Sequence, residues 1–160
     1  MAVGLKVRGL TELTAKLKGM KERLADLSPV TKVIAQDLDL LIKDSFDRQQ
    51  APNGSPWQPL EASTIRRRRG TVIQILRDTS RLYNSTFAIG HEKGVTFGAA
   101  VVYAMRHQFG FTNLPWWTPA RPYLPVDSVG GGQVRWMDGG PAKTFREAAL
   151  AALSRYVREG

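Results

Sequence analysis

Apolar side chains recur at helical spacing at the two ends of this chain, and between them lies a centre cut up by proline and glycine. Leu13, Leu17, Met20, Leu24 and Leu27 follow one another at intervals of four, three, four and three, which draws one apolar stripe along a helix. Thr11 can cap its start, with Glu12 in the first turn where a carboxylate complements the helix dipole. Ser28-Pro29 ends that helix and starts another, because proline fits a first helical turn and not an interior. Val30, Ile34, Leu38 and Leu41 form the second stripe, widened by Ile42. Two stripes this short are expected to pack within the domain, as an antiparallel pair or one broken helix; a coiled-coil dimer is the alternative. At the far end Pro141 opens a helix with Phe145, Ala149, Ala152, Leu153 and Tyr156 inward and Lys143, Arg146, Glu147, Ser154 and Arg158 in water.

The centre reads as short elements. Gly4–Leu10 alternates well enough for an opening strand. Ala51 to Pro59 is a loop, with Asn53-Gly54 as its turn. Short helices fit Glu61–Arg69, Thr79–Ser85 and Val102–Phe109, the last stopped by Gly110. Phe87 and Ile89 alternate, as do Val95 and Phe97, about His91-Glu92-Lys93-Gly94, which predicts a β-hairpin. The class is α+β: a small antiparallel sheet with helices packed on one face, in a single domain over 1–160. Its parts are a helical N-terminal part (1–50), a central α+β core (51–126), a Gly-flanked arm (127–140) and a C-terminal helix (141–160). Gly130-Gly131-Gly132 and Gly139-Gly140 flank Gln133–Asp138, a strand or a flexible arm; Val129–Gly140 is expected to be mobile in an isolated subunit, Trp136 ordering it only on contact with a neighbour.

A chain of 160 residues can bury a core without disulfides or metals, and it has no cysteine to make either a disulfide or a thiolate site. The start, Met1-Ala2-Val3-Gly4-Leu5-Lys6, has no signal-peptide core, and no apolar run reaches membrane-spanning length, which predicts a soluble protein with no membrane partner. Net charge is +9, and the excess concentrates in residues 51–82, with six basic side chains against two acidic ones. An acidic partner is implied, nucleic acid or protein. Chemistry needs convergent acids, bases, nucleophiles or metal ligands, and none converge here. His91 and His107 stand at no metal-ligand spacing, the serines have no nucleophile elbow, and the three glycines lack the lysine of a phosphate loop. The expectation is no enzyme, no cofactor and no metal. His107 is expected to make a structural hydrogen bond near its helix end.

Five segments occur in order: Pro52-Asn53-Gly54-Ser55-Pro56-Trp57-Gln58-Pro59-Leu60, Thr64-Ile65-Arg66-Arg67-Arg68-Arg69, Ile75-Leu76-Arg77-Asp78-Thr79-Ser80-Arg81-Leu82, Tyr103-Ala104-Met105-Arg106-His107-Gln108-Phe109-Gly110 and Pro119-Ala120-Arg121-Pro122-Tyr123-Leu124. Across the middle half of the chain, their order and spacing resemble the phage virion-morphogenesis family, the tail-completion or neck proteins of Mu-like tailed phages. Two departures stand out: Ser80 occupies the place of a family glycine, and the Gly-rich segment after Val126 has no placed counterpart. The resemblance implies a structural virion protein of a tailed phage, acting in tail completion and head–tail joining. It implies a homo-oligomeric ring, six-fold, in the neck and coaxial with the tail tube, assembled in the host cytoplasm. The implied partners are a tail terminator or tail-tube protein, a head–tail connector protein, and DNA passing through the channel without sequence specificity. A basic nucleic-acid-binding accessory protein acting outside the virion is the alternative.

Two candidate surfaces follow. Arg66, Arg67, Arg68 and Arg69 would face the DNA path or an acidic partner, or form a solvated charge run; on a helix at most two share a face. Trp57 is expected to plug the core. Trp116 and Trp117 cannot easily both point inward on an extended segment, so one is expected at an interface, with Arg121 and Tyr123 beside it.

Overall fold

The computed structural model describes residues 10–69, 73–112 and 117–159. The predicted opening strand lies largely in residues 1–9, outside the described residues. Helix α1 (Leu10–Ala25) is followed at once by α2 (Ser28–Arg48), the break falling at Asp26-Leu27 and Ser28-Pro29 opening the second helix as expected. The Asp26 carboxylate accepts the Ser28 N–H at 2.8 Å, and this bonding to Ser28 holds its carboxyl below the usual range. Two short helices, α3 (Ala62–Arg66) and α4 (Arg81–Ser85), lead into the hairpin of β1 (Thr86–His91) and β2 (Gly94–Ala99). Helix α5 (Ala104–Phe109), a second hairpin of β3 (Val126–Gly130) and β4 (Gln133–Trp136), and helix α6 (Gly140–Glu159) complete the chain. The class is α+β, with two separate antiparallel hairpins where one small sheet was expected.

Helix α2 is the spine. Val30, Ile34, Leu38, Leu41, Ile42 and Phe46 are buried along it, against the first hairpin and α6. The hairpin faces it differently from what its bulky residues suggest. Register pairs Ala88 with Phe97 and Gly90 with Val95, so these four share the face toward the core. Phe87 and Ile89 belong to the opposite face, and Ile89 is exposed. The physical reason is at Gly90, where any Cβ would collide with the backbone of Thr31 and Lys32. Only a residue without a side chain lets strand and helix come this close, so β1 must turn its small side inward.

The glycine-flanked segment is a formed hairpin rather than a loose arm. Gly131 and Gly132, at φ 58° and 76°, make the left-handed two-residue turn that joins strands of matching twist. Trp136 already has partners in its own chain: its ring stacks on Phe145 at 5.6 Å, meets Phe97 edge-on at 6.1 Å, and its indole N–H donates to Ala142 O at 3.0 Å. A neighbour is not needed to order it.

Helix α1 departs most from expectation. None of its residues is buried, and Leu10, Leu13, Leu17 and Leu24 are between 54 and 59 % exposed. It is tied down at its C-terminal end, where the Arg23 guanidinium donates to Val157 O at 2.9 and 3.0 Å and Tyr156 OH donates to Asp26 O. Met20 and Leu27 are half-buried, and Met20, Leu24 and Leu27 line one cavity with Leu153 and Val157 of α6. The stripe continues past the body that would cover it.

Two substitutions test this packing. Gly90→Ala should destabilise the fold by about 1–3 kcal/mol in urea unfolding, because the strand must move away from α2. Ser80 sits at φ 54°, in the left-handed region that favours glycine. Ser80→Gly should therefore raise stability by roughly 1 kcal/mol; a loss would mean the serine side chain holds the turn.

Candidate functional site

The proline-rich loop after α2 is held from within. Gln49, in the left-handed conformation, caps α2, accepts the Trp57 N–H on its carbonyl at 3.0 Å and the Ile75 N–H on its side-chain oxygen at 3.0 Å. Trp57 is buried, as expected, against Phe46, and its indole N–H donates to Pro122 O at 2.7 Å. That bond ties residues 51–60 to the segment 118–125.

A buried glutamine fixes the other side of this segment. The Gln108 carboxamide on α5 donates to Leu124 O at 3.1 Å and Val126 O at 2.8 Å, and accepts the N–H groups of Tyr123 at 3.0 Å and Leu124 at 2.9 Å. All four of its bonding positions are used on an otherwise irregular strand of backbone. Nothing in the sequence assigns Gln108 this role beyond a polar side chain beside Phe109 on a short helix.

The predicted site residues fall in different environments. Trp116 lies outside the described residues. Trp117 is 54 % exposed, beside the bridge in which Phe111 and Thr118 exchange backbone hydrogen bonds of 2.9 and 2.8 Å. Arg121 and Tyr123 are interior. The Arg121 guanidinium donates to Gln58 O at 2.9 Å and Pro59 O at 3.1 Å, and Tyr123 packs on Phe46. Contact between Tyr123 and another molecule would require uncovering it, and Arg121 is reached only through the cavity that it lines. Arg66 ends α3 and, like Arg67, is exposed, whereas Arg68 is half-buried.

The fold brings part of the arginine run to Arg121. Arg68, Arg69, Arg81, Arg121 and His107 line one cavity of about 600 Å³, with Asp78 as its carboxylate and Leu60, Leu76, Leu82 and Tyr103 as apolar wall. The Asp78 carboxylate accepts the Arg69 backbone N–H at 3.3 Å. Burial, and then the charge of Arg68, push the Arg121 guanidinium below its ordinary value. Burial also lowers His107, with Arg121 and Arg106 adding to it, each disfavouring the charged imidazole. Its Nδ1 is buried with no hydrogen-bond partner among the described residues, so the structural bond expected of this histidine is not made there; its backbone carbonyl accepts the Arg121 N–H at 2.7 Å. Among the described residues no group of three or more His, Asp or Glu side chains is placed to hold a metal, and no helix is long and apolar enough to cross a membrane.

Burial, with Tyr103 adding to it, pushes the Tyr123 phenol up to about 12. The unfolded chain ionises near 10, so the folded state binds more protons between those values and stability falls as pH rises through them. Tyr123→Phe should remove that alkaline loss in urea unfolding followed across this window, and should delete the latest phase of the tyrosine absorbance titration. An unchanged titration would place the phenol in water.

Comparison with curated proteins and with solved structures returns no match for this chain. A family model does match, over residues 9–135, described as the phage virion morphogenesis family. The match is wider than the middle half and runs through Gly130-Gly131-Gly132, a segment with no placed counterpart in the resemblance. It includes the whole of α1, the arginine run and all ten residues named around the cavity. The chain belongs to the phage virion morphogenesis family and has its place in the building of a phage virion.

Proposed function

We propose that the chain completes the phage tail and joins it to the head, as a closed ring of about six copies in the neck, coaxial with the tail tube. The observation that carries this reading is the uncovered leucine stripe of α1. Large apolar side chains in contiguous array mark interaction surfaces, and each half-covered leucine gains on the order of 1 kcal/mol when its remaining surface leaves water. Helix α2 offers a second, different patch: Val33 and Leu40, both more than half exposed, are seven residues apart and so share a face. A closed ring needs two unlike patches, one meeting the other on the next subunit. Here α1 of one subunit covers the α2 patch of its neighbour.

Trp117 is the aromatic anchor available for a partner, while Arg121 and Tyr123 support it from inside. The ring meets a tail terminator or tail-tube protein on one face and a head–tail connector protein on the other. Arg66 and Arg67 face an acidic surface or the passing DNA, gripping phosphates without reading sequence. The role is binding and geometry, with no chemical step.

Analytical ultracentrifugation of the full chain tests the ring. The wild type should sediment as a single closed oligomer of about six subunits. Leu13→Glu with Leu17→Glu should give monomers whose circular dichroism is unchanged, because neither leucine contributes to the core. Trp117→Ala should weaken a partner contact by roughly thirtyfold and leave filled heads beside unjoined tails in micrographs of the lysate. A wild-type monomer that binds duplex DNA with a steep salt dependence would support the accessory nucleic-acid-binding protein instead.

A further inference from the structure

The cavity between α3, α4 and α5 is short of negative charge. Four guanidinium groups line it against the single carboxylate of Asp78. Arg121 is buried, and the hydrogen-bond partners of its guanidinium are the carbonyls of Gln58 and Pro59, which solvate a cation without neutralising it. A buried charge without a counter-charge is costly, and a ligand that supplies the charge recovers that cost. The Nδ1 of His107, a residue of the same wall, is buried without a hydrogen-bond partner among the described residues. Arg69 and Arg81 are exposed at the rim and can close on a ligand without rearranging the core.

We propose that this cavity binds an acidic peptide segment of another protein. Carboxylates of the segment pair with Arg69, Arg81 and Arg121, where planar guanidinium and planar carboxylate match in two parallel hydrogen bonds. An apolar side chain next to them seats against Leu60 and Leu82. That apolar half is what favours a peptide over DNA: a duplex presents its phosphates on a convex surface and has no aliphatic side chain to insert. The inference needs no particular ring stoichiometry and stands or falls separately from it.

The test uses the full-length protein with three probes: a blocked hexapeptide of alternating glutamate and leucine, the same peptide with glutamine in place of glutamate, and a short mixed-sequence DNA duplex. Binding is read by calorimetry, and the titration of His107 is read by NMR of its ring protons. The glutamate peptide should bind saturably and raise the pKa of His107, since a carboxylate beside it offsets the arginines. The glutamine peptide should do neither. Arg69→Gln with Arg81→Gln should weaken the glutamate peptide about tenfold or more without altering circular dichroism, and Arg135→Gln on β4 should leave it unchanged. No saturable binding of the glutamate peptide, equal binding by the double variant, or a larger His107 response to the duplex would each overturn the proposal.

Discussion

The ring of Phe46 holds the irregular half of this protein together. It has no exposed surface, and three other rings meet it: Trp57 and Tyr83 edge-on at 5.7 and 5.4 Å, and Tyr123 tilted at 5.2 Å. Those rings arrive from the proline loop, from α4 and from the segment after Phe111, none of which is joined to another by an extended sheet. Aromatic pairs in such geometries gain about 0.5–1.5 kcal/mol beyond the area they bury. Lys43 and Arg77 close the cluster from outside, each with its cation about 4 Å from the Tyr83 ring centre, at 4.2 and 4.1 Å. The rest of the centre then needs backbone bonding, and Gln108, Trp57 and Arg121 supply it from their side chains.

This arrangement explains why so much of the basic, aromatic centre looks inward. Two of the groups most suited to grip a partner, Arg121 and Tyr123, are used to fasten a loop. What remains for outside contact is set by what the core cannot reach. Helix α1 is fastened by Arg23 near its end and carries its leucines beyond the body, and the cavity over Arg121 keeps a surplus of positive charge. An interior that is satisfied by its own chain, and two surfaces that are not, is the physical form of a part made for assembly.

The elements were largely legible from residues. Pro29 fixed the break between α1 and α2, Glu92-Lys93 between alternating residues marked the first hairpin, and Pro141 marked α6. Facing was not legible. Phe87 and Ile89 are the bulky residues of β1, yet Gly90 decides which side meets α2, and that decision depends on a helix backbone far away in sequence. The heptad-like stripe of α1 looked like core because periodicity reports amphipathicity and not the identity of what covers it. Trp136 seemed stranded among glycines because its partner Phe145 lies across a turn, on α6. The basic cavity was split between two readings, one for Arg66 to Arg69 and one for Arg121, since nothing local says that residues 68 and 121 share a wall.

The core is covered by its own chain, and the leucines of α1 are not. Amide hydrogen exchange of the full chain, compared between dilute and concentrated samples, tests this directly. Protection in α2 and in the β1–β2 hairpin should be strong and independent of concentration, because those bonds lie within one subunit. Protection across residues 10–24 should be weak in dilute protein and rise as subunits associate. Strong protection of α1 at the lowest concentration, unchanged on concentrating the sample, would mean that the helix is stabilised within its own subunit, and would contradict this account.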